Sequence, residues 1–160
     1  MTEDARFEDG REAPLNLGAM DEEDLKVISA LVQDAVFPAS AMTWRRGERR
    51  FALLLNRFRW EDPGRDRHAP ERVRSVLVFD TVLSVASQGV RRGDGDTVLS
   101  LLALEFQPKA SSGAEGGGHV LLTLAGDGAI RLEVEAIEAT LKDVTRPYLA
   151  PSRKVPGHPA

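Results

Sequence analysis

From Ala41 to Val134 the apolar residues recur at every second position, interrupted at intervals by short runs of glycine, proline and charge. Period two puts successive side chains on opposite faces of a strand, and regular breaks fold each strand back on the last. A chain patterned this way over more than half its length builds antiparallel sheet. The spacing predicts about seven strands: Ala41–Trp44, Arg49–Arg59, Val73–Phe79, Val82–Ala86, Thr97–Phe106, Val120–Leu124 and Ile130–Val134. Tight turns are expected at 45–48, 91–96 and 125–128, a bend at Asp80-Thr81, and loops at 61–70 and 108–118. Arg49–Arg59 is apolar on both faces, with Phe51, Leu53 and Leu55 on one and Ala52, Leu54, Phe58 and the following Trp60 on the other. Such a strand is expected in the middle of a covered sheet.

Helical period is confined to the two ends of this region. Asp21 is a suitable N-cap, Glu22, Glu23 and Asp24 favour a helix dipole, and Leu25, Ile28, Leu31, Val32, Ala35 and Val36 form one stripe. A helix is expected over 21–36, ended by Pro38. Val134, Ile137, Leu141 and Val144 recur at helical spacing and predict a second helix over 135–145, before Pro147. The expected fold is therefore α+β: an antiparallel, strongly bent sheet or barrel with an N-terminal and a C-terminal helix. Seven strands followed by a helix is also the order of the pleckstrin-homology-like superfold, a likeness of fold that carries no function. Residues 1–14 read as a mobile arm, with Leu15 and Leu17 opening an edge strand. Residues 15–149 read as one domain, and 150–160 as a frayed tail.

Composition excludes several classes of function. The chain of 160 residues is 42% hydrophobic and 29% charged, enough to build a core. It contains no cysteine, so disulfides, thiol nucleophiles, Cys-held zinc and iron–sulfur clusters are ruled out. No apolar run reaches the roughly 20 residues of a membrane helix. Met1–Arg6 is acidic and polar, unlike a signal peptide, so a cytoplasmic address is expected. The three histidines, His68, His119 and His158, fall in no motif for nucleophilic or metal chemistry and read as solvated loop residues. Asp94, Asp96 and Asp127 stand beside glycines and read as turn formers, and Arg92-Gly93-Asp94 reads as a chance tripeptide. The glycines of 113–118 lack the Gly-Lys-Ser/Thr of a phosphate loop and read as linker. No metal and no cofactor is expected.

Charge is the unusual feature. The net charge is −4, yet ten arginines lie between Arg45 and Arg74, with Trp44, Phe58 and Trp60 among them. Arg45, Arg46, Arg49 and Arg50 fall within six residues around one turn. They cannot all enter a core, because burying an unpaired guanidinium costs several kcal/mol. They are the candidate site: an exposed edge for an anion or a protein partner, unless the acidic helix start at Asp21–Asp24 neutralises it. A pI near 5.4 argues against a dedicated nucleic-acid binder, leaving the Arg45–Arg74 segment as at most a weak one.

The segments Phe51–Glu61 (FALLLNRFRWE), Val76–Asp80 (VLVFD), Leu83–Gly89 (LSVASQG), Leu99–Phe106 (LSLLALEF) and Leu124–Ile130 (LAGDGAI) carry a family likeness. Over about residues 15–150 the chain resembles an uncharacterised alphaproteobacterial family known only as a domain of unknown function. The resemblance implies no activity, substrate or residue role. The expected function is a small non-catalytic binding domain for a protein or anionic partner. Its rival is a hydrolase- or transferase-like enzyme using carboxylate and arginine groups in a sheet-end pocket, which would need a desolvated titratable group in a cleft.

Overall fold

The computed structural model describes residues 14–62, 70–90, 95–109 and 117–149. They form β1 (Asn16–Ala19), α1 (Glu22–Leu31), β2 (Ala35–Pro38), β3 (Met42–Arg45), β4 (Arg50–Phe58) and β5 (Glu71–Phe79). The chain continues through β6 (Val82–Gln88), β7 (Val98–Pro108), β8 (Gly118–Leu124), β9 (Ala129–Val134), β10 (Ala139–Asp143) and β11 (Tyr148–Leu149). All pairings are antiparallel, in one open sheet ordered β1-β10-β5-β4-β2-β7-β8-β9-β6, with β3 on β4 and β11 on β5. The seven expected strands are all present. β2, β10 and β11 are additional, and Leu17 lies in the edge strand β1, so the fold is mainly β.

Both helix expectations need correction. The N-terminal helix stops at Leu31 instead of Val36, because Asp34 takes a left-handed conformation (φ 62°) and turns the chain into β2. The buried residues Ala35 and Phe37 then alternate with Val36 and Pro38. The C-terminal helix over 135–145 is absent: Ala139, Leu141 and Asp143 of β10 point inward at period two, and Val144 is exposed. The helical spacing of Ile137, Leu141 and Val144 was coincidental. Without that helix, the strand-then-helix order behind the pleckstrin-homology likeness is also lost. Among the described residues, no helix is long and apolar enough to cross a membrane.

One corner organises the sheet. The Asp80-Thr81 bend carries β5 into β6, and residues 135–138 carry β9 into β10. The two bends lie side by side: Asp80 N–H donates to Glu138 O at 2.9 Å, Glu135 N–H to Thr81 O at 3.0 Å, and Thr81 Oγ1 to Ala136 O at 3.0 Å. The β5–β6 and β9–β10 segments therefore fold over together, which wraps the sheet around one core. Odd-numbered residues of β4 and β5 face that core (Phe51, Leu53 and Leu55; Leu77 and Phe79). Leu25 and Ile28 of α1, with Val32 just after it, close its open side, and Ser29 Oγ accepts from Leu104 N–H at 2.9 Å. Asp21 caps the helix by accepting from Asp24 N–H at 2.8 Å.

The outer face of β4 is not covered as its apolar residues implied. Leu54 is 39% exposed. β4 is an interior strand, but its even-numbered face meets solvent over part of its length.

Candidate functional site

Of the four arginines expected to form an anion-binding edge, three already have acidic partners. Arg45 pairs with Glu48, Arg49 with Glu135 and Arg50 Nε with Asp80 Oδ1 at 2.8 Å. Arg50 is held firmly protonated, chiefly by its hydrogen bond to Asp80. None of these partners comes from Asp21–Asp24; they come from the turn itself and from the two bends of the corner. Among the described residues Arg46 makes no ion pair. The β3–β4 turn is thus tied to the corner, and Arg49 reaches this geometry through a left-handed backbone (φ 54°).

Arg57 lies inside the molecule, with no exposed surface. Its Nη1 and Nη2 donate to Glu61 Oε1 and Oε2 at 2.8 and 2.7 Å, and Nη2 donates to Asp143 Oδ1 and Oδ2 at 3.0 and 3.2 Å. Ser75 Oγ donates to Asp143 Oδ1 at 2.7 Å, and Leu15 N–H to Oδ2 at 2.9 Å. Burial opposes the charge on Arg57, but Glu61 and Asp143 outweigh it and raise its pKa above the usual arginine value. The donors and acceptors are spent on one another, tying together β4, β5, β10 and the segment before β1. This arrangement is a clamp and leaves no group free for chemistry. Sequence gave no hint of it, because neither Arg57 nor Asp143 stands in a motif.

A different picture holds on the outer face. In register across the sheet lie Arg74 (β5), Asn56 (β4), Val36 (β2) and Ser100 (β7). β2 meets β4 only at Val36↔Asn56 and then turns aside to pair with β7, while a single 3-10 turn at Ala39–Ala41 leads back to β3 on β4. This divergence opens a groove of about 310 Å³, floored by Val36, Pro38, Ala41, Leu54 and Val98, with Asn56 and Arg74 at one end. Leu54 and Val98 are two of the large apolar side chains this fold leaves exposed, Val98 by 68%.

The polar end is cationic. Asn56 Nδ2 donates to Tyr148 Oη, and Arg72 Nη1 donates to Asn56 O and Oδ1, both at 3.1 Å. Burial lowers the pKa of the half-buried Arg72, an effect the Tyr148 phenol and Asp34 carboxylate offset in part. Among the described residues neither Arg72 nor Arg74 makes an ion pair. Both belong to the ten-arginine run, but only strand register shows that they share a face beside an apolar trough. The sequence signal for the trough was Leu54 on the second face of β4, which had been assigned to a covered interior.

The remaining candidates add no chemistry. His119 sits half-buried in β8 rather than in a loop. His68, His158, Asp94 and the tripeptide at Arg92–Asp94 lie outside the described residues, as do Gly113 and Gly116 of the 113–118 glycines. Gly126 (φ 78°) and Asp127 (φ 67°) adopt the left-handed turn conformations expected of them. No group of His, Asp and Glu suited to a metal ion occurs among the described residues. No curated protein and no solved structure matches the chain. A family model does match it over residues 15–158, described as a protein of unknown function (DUF2948), and the chain belongs to that family.

Proposed function

We propose that the domain is a non-catalytic binding module for an anionic partner, with the outer-face groove as its seat. One observation carries this reading: Arg74, which makes no ion pair among the described residues, lines an exposed apolar trough beside Asn56. A cation left without an acidic neighbour beside apolar surface gains from an incoming anion, since both are partly desolvated on contact. Titration calorimetry with inorganic phosphate and with polyglutamate, at about 50 and 200 mM salt, tests it. Binding is expected to weaken with salt and with Arg74→Gln. Binding that Arg74→Gln leaves unchanged would remove the groove from consideration.

A second seat is supported by Arg46, exposed at the β3–β4 turn and without an ion pair among the described residues. Arg45, Arg49 and Arg50 hold exposed partners, and such pairs exchange readily for a competing anion. Single-stranded RNA and a polyacid probe this edge. Real phosphate contacts lose affinity steeply with salt, and the slope falls when Arg49 and Arg50 become Ala. Binding indifferent to those substitutions leaves the turn a purely structural tie.

A further inference from the structure

Resting on the anion-binding reading above, we propose that the groove takes a medium-chain carboxylate. The apolar tail lies along Val36, Pro38, Ala41, Leu54 and Val98, and the carboxylate meets the Arg74 guanidinium.

Size selects a small molecule. About 310 Å³ is at the lower end of the roughly 300–1,000 Å³ of small-molecule clefts. It is too small to seat an amphipathic helix, whose diameter with side chains is about 10–12 Å.

Topology argues against an extended peptide. Strand addition needs an open edge of unpaired backbone. Beneath this groove β4 is paired with β5 on one side and, on the other, with β2 at Asn56 and β3 from Leu53, and β2 pairs with β7 along its length, so the gap between β2 and β4 is too short to take a strand. The ligand is therefore read by side chains on a sheet face.

The lining has a head and a tail. Five apolar side chains form the floor, and the polar side chains that line the groove, Asn56 and Arg74, share one end. Asn56 is fixed by Tyr148 and Arg72, so the polar end is held in place before any ligand arrives. A guanidinium offers the parallel pair of N–H groups that a carboxylate accepts. Arg72, two residues before Arg74 on the same face of β5, adds a second positive charge nearby. The charge selects an anionic head, and the exposed Leu54 and Val98 reward a tail that covers them.

The test is titration calorimetry of the full chain with sodium decanoate below its micelle concentration, at about 50 mM salt. One-to-one binding is expected, with a Kd of about 0.1 to 1 mM, as ligand efficiency allows for so small a ligand. Arg74→Gln is expected to weaken it about tenfold, and Leu54→Ser by about three- to tenfold. Leu54 and Arg74 are exposed, and a melting curve for each variant confirms that it is folded. Decyltrimethylammonium carries the same tail with the opposite charge and is expected to bind at least about tenfold more weakly. Equal binding of the two amphiphiles overturns the proposal. So does phosphate or polyglutamate binding that depends on Arg74 while decanoate gives no heat, an outcome that spares the anion-binding reading. If no anion gives heat that depends on Arg74, both fall.

Discussion

Arg57 Nη2 bonds both oxygens of Asp143, a residue eighty-six positions further along the chain, at 3.0 and 3.2 Å. The pair joins β4 to β10 through the interior, across β5, whose Ser75 bonds both partners. A buried charge held by this many bonds is costly to strip of a partner, since the remaining ion has no route to water.

Arg57→Met is expected to destabilise the domain by about 3–5 kcal/mol, because it strands the Asp143 carboxylate in the interior. Adding Asp143→Leu and Glu61→Gln is expected to recover part of the loss, since no unpaired charge is then left behind. Urea unfolding followed by circular dichroism measures both. A triple variant no more stable than Arg57→Met alone would mean that packing, and not charge, dominates the site.

Acid is expected to loosen the same clamp through Glu61. Burial pushes the pKa of this carboxyl up, but the hydrogen bonds and charge of Arg57 outweigh it, and the net direction is down. A carboxyl whose folded pKa lies below its unfolded value stabilises the fold at neutral pH. That contribution fades as pH falls from about 4.3 through the folded value. Glu61→Gln is therefore expected to lower stability at pH 7 and to flatten the loss below about pH 4.3. Unfolding midpoints for the two proteins between neutral and acid pH give the comparison. Parallel pH profiles would show that Glu61 does not set the acid limb.

Gly118→Ala is expected to be harmful where Gly47→Ala is not. A methyl group on Gly118 would come within 2.4 Å of Gln107 O and 2.8 Å of Phe106 Cζ, whereas one on Gly47 meets nothing within 4 Å. The backbone oxygen belongs to the β7–β8 ladder and cannot give way cheaply. A loss of about 1–3 kcal/mol is expected at Gly118 and a change under about 0.5 kcal/mol at Gly47. Thermal unfolding of the two variants side by side decides this.

Asp21→Ala is expected to cost about 1 kcal/mol by removing the acceptor for Asp24 N–H. Asp21→Asn, which keeps a capping oxygen, is expected to cost much less. Equal losses would show that the charge near the helix dipole matters more than the cap.

How legible the fold was in the sequence depends on what each residue type permits. The turn at 125–128 was readable because the left-handed backbone at Gly126 and Asp127 favours those residue types, whereas the β3–β4 turn takes its left-handed conformation at Arg49. The end of α1 was not, because Val32, Ala35 and Val36 satisfy helical and strand periods equally well over so short a run. β10 was misread for the same reason, and because Asp143 points inward at a position where a carboxylate is normally assumed to face water. Its partner, Arg57, is too distant in sequence to correct that assumption. The basic run announced itself at once, but its distribution did not. Arg49 and Arg50 meet acids that the fold brings to them, Arg45 meets Glu48 of its own turn, and Arg72 and Arg74 make no ion pair among the described residues.

The place of β10 between β1 and β5 has a consequence for synthesis. β1 leaves the ribosome long before its strand partner β10, residues 139–143. Until those residues emerge, β1 has no neighbour, β5 has one open edge, and the Arg57 guanidinium lacks Asp143. A nascent chain already long enough to form β7, β8 and β9 would still carry a buried cation held by Glu61 alone of its two acids and a central strand, β5, paired on one side only. Closure of this half of the sheet is therefore a late step, made of contacts far apart in sequence. Until then the growing chain exposes the kind of strand edge that other chains can add to.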